Sequence, residues 1–433
     1  MLKKIIVIFS VLLLFSCNNN QELDLESNNS IFPVLTYDAE ISETLALDTA
    51  DIALTKPVEL FYWSKNFQNI KNNLGNIKTF SLFKKKKKII SSSGKLNNLI
   101  QPIYFDDKLC SVNSNGFLIC INTKNNETIL EIDTNLSGIK KPEIIRGGIA
   151  YFDGKLVFVD AYGQIILFDS NSGETIWHKQ IKFSILSPPV IYRGYVYFVS
   201  SDNRVFAINI LDGEISWSFQ TTSENKKNIQ TSSPAAFEKL IIVPFSNGEL
   251  IALRFDDGKP LWSENISKVS ALSNFDIKDI SANPVINGIN VYTISTNGNL
   301  VSTNIINGKT NWSRNVSSSR TPIISGNVIY IIDDNSKIIC LSIDTGEVYW
   351  ITQLDKFRNG RTVSKSNLWL SPMLINNLIY MISYFGEINV ISPKTGEILD
   401  KKNIGIKGII AQPIVLKNSI FIADENSNVF DIR

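Results

Sequence analysis

The residues that could do chemistry in this chain are few. One histidine, His178, stands in 433 residues, so neither a histidine-based nucleophilic triad nor a multi-histidine metal site can be assembled. It follows Trp177 at the start of a strand pattern and reads as a surface or half-buried polar residue. The four cysteines, Cys17, Cys110, Cys120 and Cys340, include no adjacent pair. Carboxylates double up at Asp256-Asp257 and Asp333-Asp334, but on turns, where Asp normally hydrogen-bonds the turn backbone. Lys84, Lys85, Lys86, Lys87 and Lys88 form the only strong charge run. It offers a contact for anionic lipid, but a solvated loop tip is the favoured reading. Catalysis and metal binding are therefore not expected, and the cysteine placed for modification is Cys17.

Cys17 closes the stretch "MLKKIIVIFSVLLLFSC", in which Lys3 and Lys4 precede an apolar run over residues 5–15. That is the pattern of a secretory signal. The run is shorter than the roughly 20 residues a permanent span needs. The residues "LFSC" resemble the lipobox of bacterial lipoproteins, in which a Cys three positions after a Leu is diacylated, freed by cleavage and acylated again. The resemblance implies that Cys17 becomes the first mature residue, carrying more acyl chains than the two signals that stable anchoring takes. Asn18, not Asp, implies the outer membrane.

Net charge is +2, with 19% charged and 44% hydrophobic residues, a globular balance that excludes a nucleic-acid binder. Behind it lies a repeat. "NSGETIW", "LDGEISW", "DDGKPLW", "INGKTNW" and "DTGEVYW" end at Trp177, Trp217, Trp262, Trp312 and Trp350, each with Gly four residues before Trp. "NNETIL" and "KTGEILD", ending at Leu130 and Asp400, are degraded copies. Upstream of each lies a proline: Pro102, Pro142, Pro189, Pro234, Pro284, Pro322, Pro372 and Pro413, spaced 38 to 50 residues apart. At this period the choice is a propeller or a solenoid.

Within each unit, short β-branched runs such as "VYFVS" and "VFAIN" alternate with turn dipeptides: Asn115-Gly116, Arg193-Gly194, Asn247-Gly248, Asn287-Gly288 and Asn297-Gly298. These are hairpin signals, and Pro suits the first position of a strand. The unit is read as a four-stranded antiparallel meander whose Gly turns the third strand into the fourth. The Trp begins the outer strand, where a large flat side chain can wedge against the next sheet. Cys120 and Cys340 share the slot of Ala207 and Ala252 and read as small core residues. Cys110 and Cys120 flank the turn "NSNG": a two-residue turn puts them on opposite faces, a three-residue turn sets them opposite one another. Both remain open, with free thiols favoured.

The eighth unit stops at Arg433 after three strands, while "VELFYWSKN", residues 58–66, carries a Trp63 that belongs to no earlier unit. The expected architecture is an all-β, eight-bladed propeller whose last blade is closed by an N-terminal strand around Trp63, removing open edges. The domains are then a signal peptide at 1–16, a lipidated tether at 17–56 and the propeller at 57–433. The structural repeat residues are Trp63, Trp177, Trp217, Trp262, Trp312 and Trp350.

The repeat resembles those of the pyrroloquinoline-quinone propellers. Dehydrogenases of that superfamily hold a Ca²⁺ ion with carboxylate and Asn side chains, use an Asp as base and stack the quinone on adjacent, disulfide-linked cysteines, and no two cysteines are adjacent here. Together with the lipobox, the eight units look like the BamB family of the outer-membrane β-barrel assembly machinery. The resemblance is carried by Asp279, Pro284, Asn287, Gly288, Asn297, Gly298, Asn299, Leu300, Gly308 and Trp312. It implies a non-enzymatic periplasmic scaffold without cofactor, anchored at the outer membrane. Such a scaffold binds the POTRA domains of the barrel-inserting subunit and helps deliver unfolded outer-membrane chains. The family uses long inter-blade loops, including the one before the fourth proline slot, which here is residues 221–233 with Ile229, Lys226 and Lys227; the neighbouring loop, residues 264–283, is also long and carries Leu272 and Phe275. Ile229, Leu272 and Phe275 are the candidate partner-binding residues. The alternatives are a quinone-dependent dehydrogenase-type propeller and a lipid-anchored adhesin or sensor.

Overall fold

The computed structural model describes residues 51–433, apart from 82, 93–96, 99, 114, 137–143, 223–231, 267–278, 297 and 359–365. Alternating apolar runs and tight turns produce eight four-stranded antiparallel blades in a propeller ring. The third blade is typical, with strands Val190–Tyr192, Tyr195–Ser200, Arg204–Asn209 and Ile215–Gln220. Its first turn takes Arg193 and Gly194 to φ 48° and 83°, as two-residue hairpins require. Inner and middle strands are almost wholly buried, while outer strands alternate exposed and buried residues. This is what radial sheets packed face to face demand.

The G-x-x-x-W unit joins neighbouring blades. Each Trp lies against the Gly of the following blade: Trp177 on Gly213, Trp217 on Gly258, Trp262 on Gly308, Trp312 on Gly346 and Trp350 on Gly396, where an added Cβ would stand 2.4–2.8 Å from the ring. Each indole N–H also donates to the carbonyl three residues before that Gly, at Ile210, Phe255, Ile305, Ile343 and Pro393, over 2.8–3.1 Å. Gly is needed twice over, for positive φ and for room.

The degraded copies follow from this geometry. The eighth blade carries no such Trp, so the first blade has Asn126 at φ 63° where others have Gly. Nor does the eighth blade offer a Gly, and the seventh blade's slot is Asp400. At the first blade Leu130 replaces Trp, and Gly173 receives Leu130 and Ile132 instead.

Several expectations are corrected. The last blade is closed from the N-terminal part of the chain, but not by residues 58–66. The strand that pairs with Val429–Ile432 is Lys86–Ile90, with Lys87 opposite Asp431. The lysine run is thus mostly an edge strand, not a loop tip. Its charges face water, and edge pairing needs only backbone N–H and C=O groups; lysines there also discourage a further strand from adding. Trp63 is fully buried and pairs with Tyr104 of the first blade's inner strand. The proline slot of the second blade is held by Ile149, because its inner strand, Gly147–Phe152, starts early; Pro142 lies outside the described residues.

Cys110 and Cys120 are directly cross-strand and form a disulfide. Asn113 N–H donates to Phe117 O and Gly116 N–H to Asn113 O, so the turn has three residues, which decides the register. Cys340 is free, buried and opposite Trp350. His178 is exposed on an outer strand.

Candidate functional site

The axis of the ring is where the blades' inner edges meet. Residues 51–81 cross it and attach to blade after blade. Ala53 and Thr55 bond Asn327 and Ser325 of the sixth, so packing begins before residue 57, and Ile52 is buried. Ser64 O accepts from Tyr151 N of the second blade, Ile70 O from Ala236 N of the fourth and Lys71 O from Ile286 N of the fifth. Asn76–Ile77 pairs in parallel with Met373–Ile375 of the seventh, and Thr79 Oγ1 donates to Leu416 O of the eighth. The N-terminal segment is therefore an axial plug.

Its centre is folded around Lys65, which is 3% exposed. The Nζ atom donates to Asn66 O, Asn69 O and Asn72 Oδ1 at 2.6, 3.1 and 2.6 Å. Burial pushes the amine down to about 7. Asn72 in turn donates to Pro284 O at 3.1 Å, tying the plug to the fifth blade.

Beyond the plug a cavity of about 130 Å³ remains, with Asn66 and Phe67 among its walls. The residues just before the proline slots circle it and link blades. Gln101 Nε2 donates to Gln412 O at 2.6 Å, and Gln412 Nε2 to Ser371 O at 3.1 Å. Asn283 Oδ1 accepts from Ser233 N at 2.6 Å, and Asn283 N donates to Thr321 Oγ1 at 3.1 Å. Sequence reasoning missed this belt, although its signal was visible: Gln, Ser, Asn, Thr, Ser and Gln precede six of the prolines.

The described residues that flank the two long connections are Thr222 and Ser232, and Ile266 and Asp279, and of these Ser232 lines the cavity. Ile229, Leu272 and Phe275, like Cys17, lie outside the described residues. Asp279 itself is buried; Ser281 Oγ donates to its Oδ2 at 2.8 Å, and burial raises its carboxyl to about 6. Val58, Phe61, Tyr62 and Phe80 of the plug are exposed, which no sequence signal announced. Among the described residues no three His, Cys, Asp or Glu side chains come close enough to hold a metal ion.

These features define a class: an eight-bladed propeller of G-x-x-x-W blades, plugged along its axis by its own N-terminal segment. Within it, the chain belongs to the family described as outer membrane protein assembly factor BamB, whose model matches residues 91–352. BamB of Aliivibrio fischeri is 32% identical over 203 residues, 47% of this chain and 50% of that protein. The matched stretch thus spans about half the length of the curated relatives. The fold is shared with BamB from Moraxella catarrhalis, at TM-score 0.67 and 19% identity over 80% of this chain and 99% of that one. It is also shared with a quinohemoprotein alcohol dehydrogenase from Pseudomonas putida, at TM-score 0.64 and 12% identity over 86% of this chain and 80% of that one.

Proposed function

We propose that this chain is a periplasmic scaffold lipoprotein of the outer-membrane β-barrel assembly machinery, not an enzyme. The observation that carries the reading is the family match over residues 91–352, in an eight-bladed ring. In this reading residues 1–16 are removed and Cys17 is acylated. A tether then holds the propeller at the periplasmic face of the outer membrane. Ile229, Leu272 and Phe275 meet the POTRA domains of the barrel-inserting subunit, and unfolded outer-membrane chains are aligned for insertion.

The dehydrogenase alternative needs a platform of adjacent cysteines. Here the disulfide joins Cys110 to Cys120, which face each other across two strands of the first blade, so these cysteines do not fit that platform.

The test is co-purification from detergent-solubilised envelopes of parent and a variant carrying Ile229→Asp, Leu272→Asp and Phe275→Asp. Apolar loop residues that leave water only in the complex contribute about 25 cal/mol per Å² buried before association costs, and a cluster of three acts as a hot spot. The parent should co-elute with a large β-barrel protein and the variant should not. Folding stability should change by less than about 0.5 kcal/mol per site. Undiminished co-elution of the variant would sink the loop assignment; absence of any barrel partner from the parent would sink the scaffold reading.

A further inference from the structure

The axial cavity has one ionisable wall residue among those described, Arg320. The side chain is half-buried and makes no hydrogen bond or ion pair among the described residues; only its backbone N–H is engaged, by Ser318 Oγ at 2.9 Å. Burial lowers the guanidinium's pKa, and Asp334 opposes that through space without touching it. Asp334 is itself exposed on a turn. A partly desolvated cation with no direct hydrogen-bond partner gains when an anion reaches it.

The walls describe that anion. No carboxylate lines the cavity; Ser319 and Thr321 present hydroxyls, while Leu370 and Ile410 add an apolar side. A single charge matches a monoanion. The planar guanidinium fork pairs bidentately with a carboxylate. The volume of about 130 Å³ falls below the roughly 300–1,000 Å³ of sites for drug-sized ligands. We propose that this cavity binds a small monocarboxylate, with Arg320 holding the carboxylate and the apolar wall taking its short hydrocarbon group. The source is either a free organic acid or the carboxyl end of a polypeptide. The site does not depend on the assembly role, since binding can be measured without any partner.

Calorimetry on the whole exported chain, with three probes, tests this: butyrate, N-acetyl-alanyl-leucine with a free carboxyl end, and the same dipeptide as its amide. At least one acid should bind while the amide does not. Butyrate binding alone assigns a free acid, and dipeptide binding assigns a chain end. Arg320→Gln should weaken binding tenfold or more while its melting stays near the parent's. Ala411→Phe, which fills the cavity and leaves the arginine in place, should also abolish binding and serves if Arg320→Gln does not fold. Equal binding of acid and amide, full affinity in either folded variant, preference for inorganic phosphate over both acids, or no binding of either acid by the parent would overturn the proposal.

Discussion

Replacing Gly346 with alanine should destabilise the propeller far more than the same change at Gly194, although both residues sit at positive φ, 68° and 83°. Alanine in the left-handed region costs about 1–2 kcal/mol at either position. At Gly194 nothing lies within 4 Å of the new Cβ, so that is the whole penalty. At Gly346 the Cβ would stand 2.5 Å from Cε3 of Trp312, and the ring must move. Moving it breaks the 3.0 Å bond from the indole to Ile343 O, in a buried setting where an orphaned polar group costs about 1–3 kcal/mol. The expected total at Gly346 is about 2–5 kcal/mol. Equilibrium urea unfolding reads the difference, and a double-mutant cycle isolates it. In a Trp312→Ala background the Gly346→Ala penalty should shrink towards that of Gly194→Ala. Equal penalties at the two glycines, or one that persists without the indole, would refute the inter-blade lock.

Deleting residues 86–90 should lower the melting temperature and increase light scattering, because it uncovers the edge of Val429–Ile432; changing the five lysines to threonine should preserve melting but raise scattering. An unchanged melt after the deletion would refute closure by this strand. Asp279 binds a proton in the folded state up to about pH 6 that the unfolded chain releases near pH 4. Stability should therefore fall as pH rises through that window, by roughly 2–3 kcal/mol. Asp279→Asn should flatten the slope in urea titrations, and an identical slope would refute the assignment.

The sequence by itself determined what is local or periodic. Turn dipeptides, alternation with a period of two and the recurring G-x-x-x-W specified the strands, their antiparallel order and eight blades, because each depends on residues close in the chain. The need for a closing N-terminal strand was also legible, since seven complete units and one of three strands leave an edge. Which strand closes it was not. Lys86–Ile90 carries no alternating apolar pattern, and its partner lies more than 300 residues away, held by backbone bonds blind to side-chain type. Trp63 misled for the same reason: its identity matched the repeat, but its neighbours in space are the axis and the first blade. The repeat likewise showed that Gly and Trp travel together without showing that each Trp serves the next blade's Gly, and the disulfide awaited a register that one turn residue decides. The plug around Lys65, the belt of pre-proline side chains and the unpaired Arg320 exist only once eight inner edges converge, since a central axis is a property of the closed ring and of no segment within it.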